Sequence, residues 1–286
     1  MSNYVILTDS ACDLKPDYLA KLGIGFLSLS FTFTDEDKSY KNFDLAPADF
    51  YNEMRNGRSA KTSAVNVAEF KDFFEGELKR GNDILYLGFS SGLSTTYNSA
   101  CIAAEELREE YTDHKIVCID SLAASAGFGM LVYLAAKEKE KGADLDAVAE
   151  YLGKIVLSQA HWFTVDDLEY LKRGGRVSPT VAFVGGLLGI KPVLHVDDEG
   201  HLIKVSTARG RKASLTALAD RLCETILPDS PVWISHGDCE EDAKLLAEMI
   251  KEKSGREVTL ITDVGPVIGA HSGPGTMALF FLANER

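Results

Sequence analysis

Ile84-Leu85-Tyr86-Leu87-Gly88-Phe89-Ser90-Ser91-Gly92-Leu93-Ser94 is an apolar run that empties into a glycine- and serine-rich turn, and a helix-forming run follows from about Thr96 to Tyr111. A buried strand that delivers a polar loop to a helix N-terminus is how α/β proteins build anion sites: free amides and the positive end of the helix dipole face the ligand. The serines add hydroxyl donors without charge. The stretch therefore predicts a carboxylate or phosphate near Ser94.

The same pattern repeats on either side. Tyr4 to Leu7 is a short apolar run ending at Thr8-Asp9-Ser10, and Lys115 to Ile119 is another ending at Asp120-Ser121. Helical runs separate them, Lys15 to Leu22, Val67 to Lys79 and Ser125 to Lys141 among them. Short apolar strands alternating with helices predict a parallel sheet, whose C-terminal loops converge on a ligand crevice. Gly23 to Phe33 reads as one further strand, Ala46 to Met54 as a helix, and Lys61-Thr62-Ser63-Ala64-Val65-Asn66 as a polar connection.

Beyond Asp146 to Ser158, a helix, the character changes. Trp162 to Val165, Pro192 to Val196, Leu202 to Thr207, Val232 to Ser235, Val258 to Thr262 and Met277 to Leu282 read as strands. Asp197-Asp198-Glu199-Gly200 reads as a hairpin turn. Helices are predicted over Pro179 to Leu188, Lys212 to Ile226 and Glu240 to Lys253, and a glycine-rich loop over Gly265 to Thr276. The fold class is α/β with two domains: residues 1–158 carry the parallel sheet flanked by helices, and residues 159–286 a mixed sheet. The boundary falls near residues 155 to 162, and the 61–66 segment is expected at the interface.

Composition limits the partners. The 286 residues carry a formal net charge of −13, which disfavours nucleic acid and anionic membrane surfaces. Cys12, Cys101, Cys118, Cys223 and Cys239 are scattered and odd in number, as in a reducing compartment and not in a disulfide framework. The N-terminus shows no signal peptide and no apolar run is long enough to span a bilayer, so a cytoplasmic location is expected.

Three groups of residues carry candidate chemistry. Gly88-Phe89-Ser90-Ser91-Gly92 matches G-x-S-x-G on a strand-to-helix turn, so a serine hydrolase acting through Ser90 is the alternative to anion binding. The plainer reading is that these serines cap the helix. His271 stands in a run of glycines and prolines, where backbone can approach a ligand closely; as a donor it could hold a carboxylate, which would favour its protonated form. Arg173, Arg176, Arg209 and Arg211 form two basic loops in an acidic chain, suited to phosphate or an acidic partner protein. The six histidines show no metal-binding spacing, and no P-loop or dinucleotide fingerprint occurs.

Together these blocks resemble the DegV family. They are Thr8-Asp9-Ser10, Lys61-Thr62-Ser63, Ser90 to Ala100, Asp167 to Ser178 with its Lys172-Arg173-Gly174-Gly175-Arg176, Leu188-Gly189-Ile190-Lys191-Pro192, and Gly265 to Gly275. They run in order through essentially the whole chain. Two departures stand out. The family usually has Thr-Ser-Gln-Pro-Ser at Thr62-Ser63-Ala64-Val65-Asn66, and Ser-Gly-Thr at Ser94-Thr95-Thr96.

The resemblance implies a non-enzymatic, two-domain, fatty-acid-binding protein. It would be the acyl-carrying subunit of a bacterial fatty acid kinase, whose separate ATP-dependent subunit forms the acyl phosphate. It also implies that Thr62, Ser63, Ser94 and His271 hold the carboxylate. Arg176 and Arg209 would contact the kinase subunit or the phosphorylated head, and no catalytic residue, metal or cofactor beyond the bound long-chain fatty acid is implied. The Val181 to Ile190 segment and parts of the 125–135 helix are expected along the acyl tail.

Overall fold

The computed structural model describes residues 3–177 and 189–286. The helix expected over Pro179 to Leu188 lies outside the described residues. In chain order the first half contains β1 (Tyr4–Asp9), α1 (Pro16–Lys21), β2 (Gly25–Leu27), β3 (Ser30–Phe33), β4 (Ser39–Lys41), α2 (Pro47–Arg55), β5 (Ala60–Ser63) and α3 (Val67–Leu78). It continues with β6 (Asp83–Gly88), α4 (Thr96–Glu110), β7 (Ile116–Asp120), α5 (Ser125–Glu140) and α6 (Leu145–Ile155). The second half contains β8 (Gln159–Thr164), α7 (Glu169–Arg173), β9 (Ile190–Val196), β10 (Leu202–Arg209) and α8 (Arg211–Thr225). It closes with β11 (Trp233–His236), α9 (Glu240–Ser254), β12 (Leu260–Asp263), α10 (Pro266–Ser272) and β13 (Met277–Leu282).

Among the described residues the strands form three sheets. One is parallel, in the order β2-β1-β6-β7. Every residue of β6 is buried, because helices cover both faces; hence its unbroken apolar run. The second sheet is mixed, in the order β10-β9-β8-β13-β11-β12, with only β11 and β12 parallel. Its side chains alternate strictly. Phe163, Trp233, Ala278 and Phe280 join the core shared with the parallel sheet, and Trp162, Ile234, Met277, Leu279 and Phe281 meet a separate core under α8 and α9.

The third sheet, β4-β3-β5, is antiparallel and corrects the sequence reading twice. Gly23 to Phe33 is not one strand. β2 ends at Leu27, the Leu29 N–H turns to the Ser10 hydroxyl at 3.0 Å, and β3 pairs elsewhere. Alternation persists through the switch, so periodicity cannot reveal it. The polar connection at Lys61 is likewise part of a strand, β5, which places Thr62 opposite Phe31.

A third correction concerns Gly265 to Thr276. It contains α10, begun by Pro266 at its first turn and ended by Gly273 at φ +82°. Its glycines serve close packing: a Cβ on Gly269 would overlap the Tyr51 ring. Tyr51, Phe50 and Met54 of α2 pack with Phe31, Phe33 and Ala270, locking α10 onto the small sheet.

Candidate functional site

Between the parallel and mixed sheets lies a cavity of about 480 Å³. The shared core face of the mixed sheet supplies its floor through Phe163, Ala278, Phe280 and His161, with Val196 and Leu202 from the hairpin. Phe89 and Leu93 of the serine loop, with Leu29, Val264, Val267 and Ile268, complete an apolar lining. One group of polar lining residues is Thr62, Ser91, Ser94, Thr95, Arg176 and His271, here called the polar end.

The polar end is assembled from four separate segments. Thr62 Oγ1 and His271 Nε2 are hydrogen-bonded at 2.7 Å. The other side of the His271 ring rests on Gly174, where a Cβ would overlap Nδ1. Arg176 donates from Nε and Nη2 to the Leu93 carbonyl at 3.2 and 3.0 Å, and from Nη1 to the Gly174 carbonyl. It therefore ties the Lys172–Arg176 loop to the serine loop. Among the described residues no carboxylate pairs with Arg176. Burial lowers its guanidinium from the usual value, and it remains the cation of the site. Burial first, then Arg176 and Arg173, bring His271 down to about 4, so at neutral pH its imidazole is uncharged. The protonated form expected from the sequence requires a carboxylate beside the ring.

The serine loop differs in detail from a backbone anion cradle. The Ser91 N–H donates to the Asp120 carboxylate, the Gly92 N–H to Ser90 Oγ, and the Leu93 and Ser94 N–H groups to the Ser90 carbonyl. The Thr96 N–H donates to Ser94 Oγ at 3.2 Å, and the Ser94 and Thr96 hydroxyls lie 2.9 Å apart. Side-chain hydroxyls, the imidazole and the guanidinium are thus the donors available to a ligand. Behind the loop, the buried Asp9 accepts from Tyr86 Oη at 2.8 Å and from the Phe89 N–H at 2.9 Å. Burial raises Asp9 to about 6 against the pull of these bonds. Asp9 is a positioning residue, a role that the Thr8-Asp9-Ser10 motif alone does not disclose.

Ser90 is fully buried, is not part of the cavity lining, and donates to the Gly200 carbonyl at 2.9 Å. Gly200 has φ +81°, and a Cβ there would overlap Ser90 Oγ. No imidazole partners Ser90 among the described residues. The serine of the G-x-S-x-G match ties the loop to the β9–β10 hairpin.

Of the residues expected at the site, Thr62, Ser94, His271 and Arg176 converge. Ser63 follows Thr62 on β5 but is exposed and outside the lining, as period-two alternation requires. Arg209 is exposed at the end of β10, also outside it. Of the expected tail contacts, residues 181–188 lie outside the described residues, and α5 contributes only its first residue, Ser125. The two departures from the family pattern are absorbed locally. Asn66 caps α3 in a reciprocal box with Glu69, and exposed Thr95 has φ −76°, so no glycine is needed there. The floor residues were missed because alternation marks a face as buried without saying that a cavity adjoins it.

Comparison with known proteins agrees with this architecture. A sequence model described as the DegV family, uncharacterised proteins, matches residues 3–284. A DegV domain-containing protein of Clostridium perfringens is 45% identical over 290 residues, covering 100% of this chain and 99% of that protein. A DegV lipid-binding protein from Thermotoga maritima superposes with a TM-score of 0.85 at 31% identity over 99% of each chain. A fatty acid (stearic acid)-binding protein from Eubacterium ventriosum does so with a TM-score of 0.89 at 26% identity over 98% of each. The chain belongs to the DegV family.

Proposed function

We propose that this protein binds a long-chain fatty acid in the cavity and presents its carboxylate to a separate ATP-dependent kinase subunit, in the cytosol, without itself being an enzyme. The observation that carries the binding step is the composition of the cavity: a mainly apolar lining joined to a cluster of hydroxyls, the His271 imidazole and the Arg176 guanidinium. A fatty acid has the matching asymmetry. Its tail gains about 0.8 kcal/mol per buried methylene, and its head requires donors because an unpaired buried carboxylate is very costly. The Thermotoga and Eubacterium relatives, described as binding lipid and stearic acid, support the same ligand class.

Thr62, Ser94 and His271 would hold the carboxylate, with Arg176 beside them and Ser63 at the rim. Attack of a carboxylate oxygen on the γ-phosphoryl group of ATP supplied by the partner displaces ADP and gives an acyl phosphate. Arg176 and exposed Arg209 are the proposed contacts for that partner or the phosphorylated head. Native mass spectrometry of the protein purified from its own cells should reveal a bound acyl chain. Protein that is empty, and that takes up no fatty acid after delipidation, would overturn the reading. Incubation of the loaded protein with the kinase subunit and ATP tests the second step.

A further inference from the structure

The cavity contains a second group of polar side chains that the carboxylate end does not explain. Ser125, Ser235 and Ser272 all line it, from α5, β11 and α10. All three are buried, with Ser235 at 0%, Ser125 at 4% and Ser272 at 5% exposure. Their location follows from the register: Ser235 pairs with Ala278 on the floor and shares the face of Trp233, while Ile234 between them turns to the opposite core. At the end of β11, a Cβ on Gly237 would meet the Gly273 carbonyl at 2.9 Å, so the last turn of α10 abuts this strand.

The hydrogen-bond inventory is incomplete in a defined way. Ser125 Oγ donates to Asp13 Oδ2 at 2.6 Å, and the Ser125 and Ser235 hydroxyls lie 3.0 Å apart. With its proton directed at Asp13, Ser125 accepts from Ser235, which leaves Ser235 Oγ with open lone pairs and no proton to give. Ser272 Oγ is buried with no partner among the described residues. One side chain can accept and the other can donate. A buried hydroxyl left without a partner is costly, and the group that satisfies both is one that donates to Ser235 and accepts from Ser272. An alkyl tail can do neither; an alcohol does both.

We propose that Ser125, Ser235 and Ser272 form a second polar station that receives a hydroxyl carried by the acyl chain, so that the ligand class is a hydroxylated fatty acid. The inference rests on the fatty acid reading above. Because Ser272 directly follows His271, the station faces the carboxyl half of the chain. Asp13 is a positioning residue, orienting the Ser125 proton away from the ligand so that Ser235 presents an acceptor.

The test is a competition series on delipidated protein: hexadecanoic acid against hydroxyhexadecanoic acids whose hydroxyl is moved stepwise along the chain. A position in the carboxyl half should bind about tenfold tighter than positions near the methyl end, where a hydroxyl is stranded among apolar groups. In Ser235→Ala/Ser272→Ala that ratio should collapse toward one. Ser272→Ala alone, which breaks no hydrogen bond, keeps the test if the double variant fails to fold. Equal weakening at every position, unchanged by the substitutions, would mean that the station holds only water and would overturn the proposal. Failure of hexadecanoic acid and the whole series to bind would overturn the fatty acid reading and this inference with it.

Discussion

Thr62 Oγ1 and His271 Nε2 lie 2.7 Å apart although the residues are 209 positions apart in the chain. The small antiparallel sheet brings them together, because β5 holds Thr62 beside β3 while α10 packs over both strands through Tyr51 and Ala270. The pair is preorganised: the ring is backed by Gly174 and the hydroxyl sits on a paired strand. A carboxylate entering the polar end therefore meets donors already in place.

Thr62→Val keeps the shape of the side chain and removes the hydroxyl. It should weaken fatty acid binding by about 1–3 kcal/mol, since one donor to a buried carboxylate is lost and His271 Nε2 loses its partner. Displacement of a fluorescent fatty acid measures this. Unchanged affinity would place the head group elsewhere.

Binding should draw in protons through His271. Burial, then Arg176 and Arg173, hold it at about 4. A bound carboxylate favours the imidazolium and raises that value, so between the two values the complex carries more protons than its parts and affinity rises as pH falls. Without ligand the sign is opposite for stability: a depressed histidine costs stability as pH drops from its ordinary value toward about 4. Calorimetry at about pH 5 in two buffers of different ionisation enthalpy reads the proton uptake directly. Equal heats in both buffers would contradict it.

Gly174→Ala isolates the position of the ring. Gly174 has φ −71°, which alanine adopts freely, so the backbone should tolerate the change. Its Cβ would displace His271. The expected result is a melting temperature near wild type with a loss of affinity on the order of tenfold. Retained affinity would show that His271 is not a head-group contact.

Asp13 should govern an acid-side slope in stability. Burial raises it to about 7, opposed first by the hydrogen bond from Ser125. For a raised carboxyl, the unfolded chain releases its proton first, so its contribution is complete at low pH and is lost as pH rises from about 4 to about 7. The loss is on the order of 4 kcal/mol. Asp13→Asn should flatten that part of the melting-temperature profile; an unaltered slope would assign it to other groups.

Ser90→Ala separates a structural serine from a nucleophile. It removes the bond to Gly200, and the predicted cost is about 1 kcal/mol of stability with fatty acid affinity retained. Loss of a hydrolytic activity or of fluorophosphonate labelling in this variant would instead favour the hydrolase.

The sequence by itself determined the strand-turn-helix unit at Ile84 to Ser94, the parallel sheet around it and the mixed sheet after Gln159. These follow from period and turn chemistry, which are properties of neighbouring residues. Through its resemblance to ordered family blocks it also grouped Thr62, Ser94 and His271 around one carboxylate and singled out Arg176. Only the tertiary structure decided that Ser90 braces the hairpin while Ser94 faces the cavity, that Gly265 to Thr276 folds into α10, and that Gly23 to Phe33 divides between two sheets. Each depends on a contact made far along the chain: Ser90 with Gly200, Gly269 with Tyr51, Leu29 with Ser10. The same is true of Ser125 and Ser235, whose hydroxyls lie 3.0 Å apart at positions where local pattern shows no more than a helix start and a strand end. Burial and distant partners set what a polar side chain does, and neither is encoded within the span of one secondary-structure element.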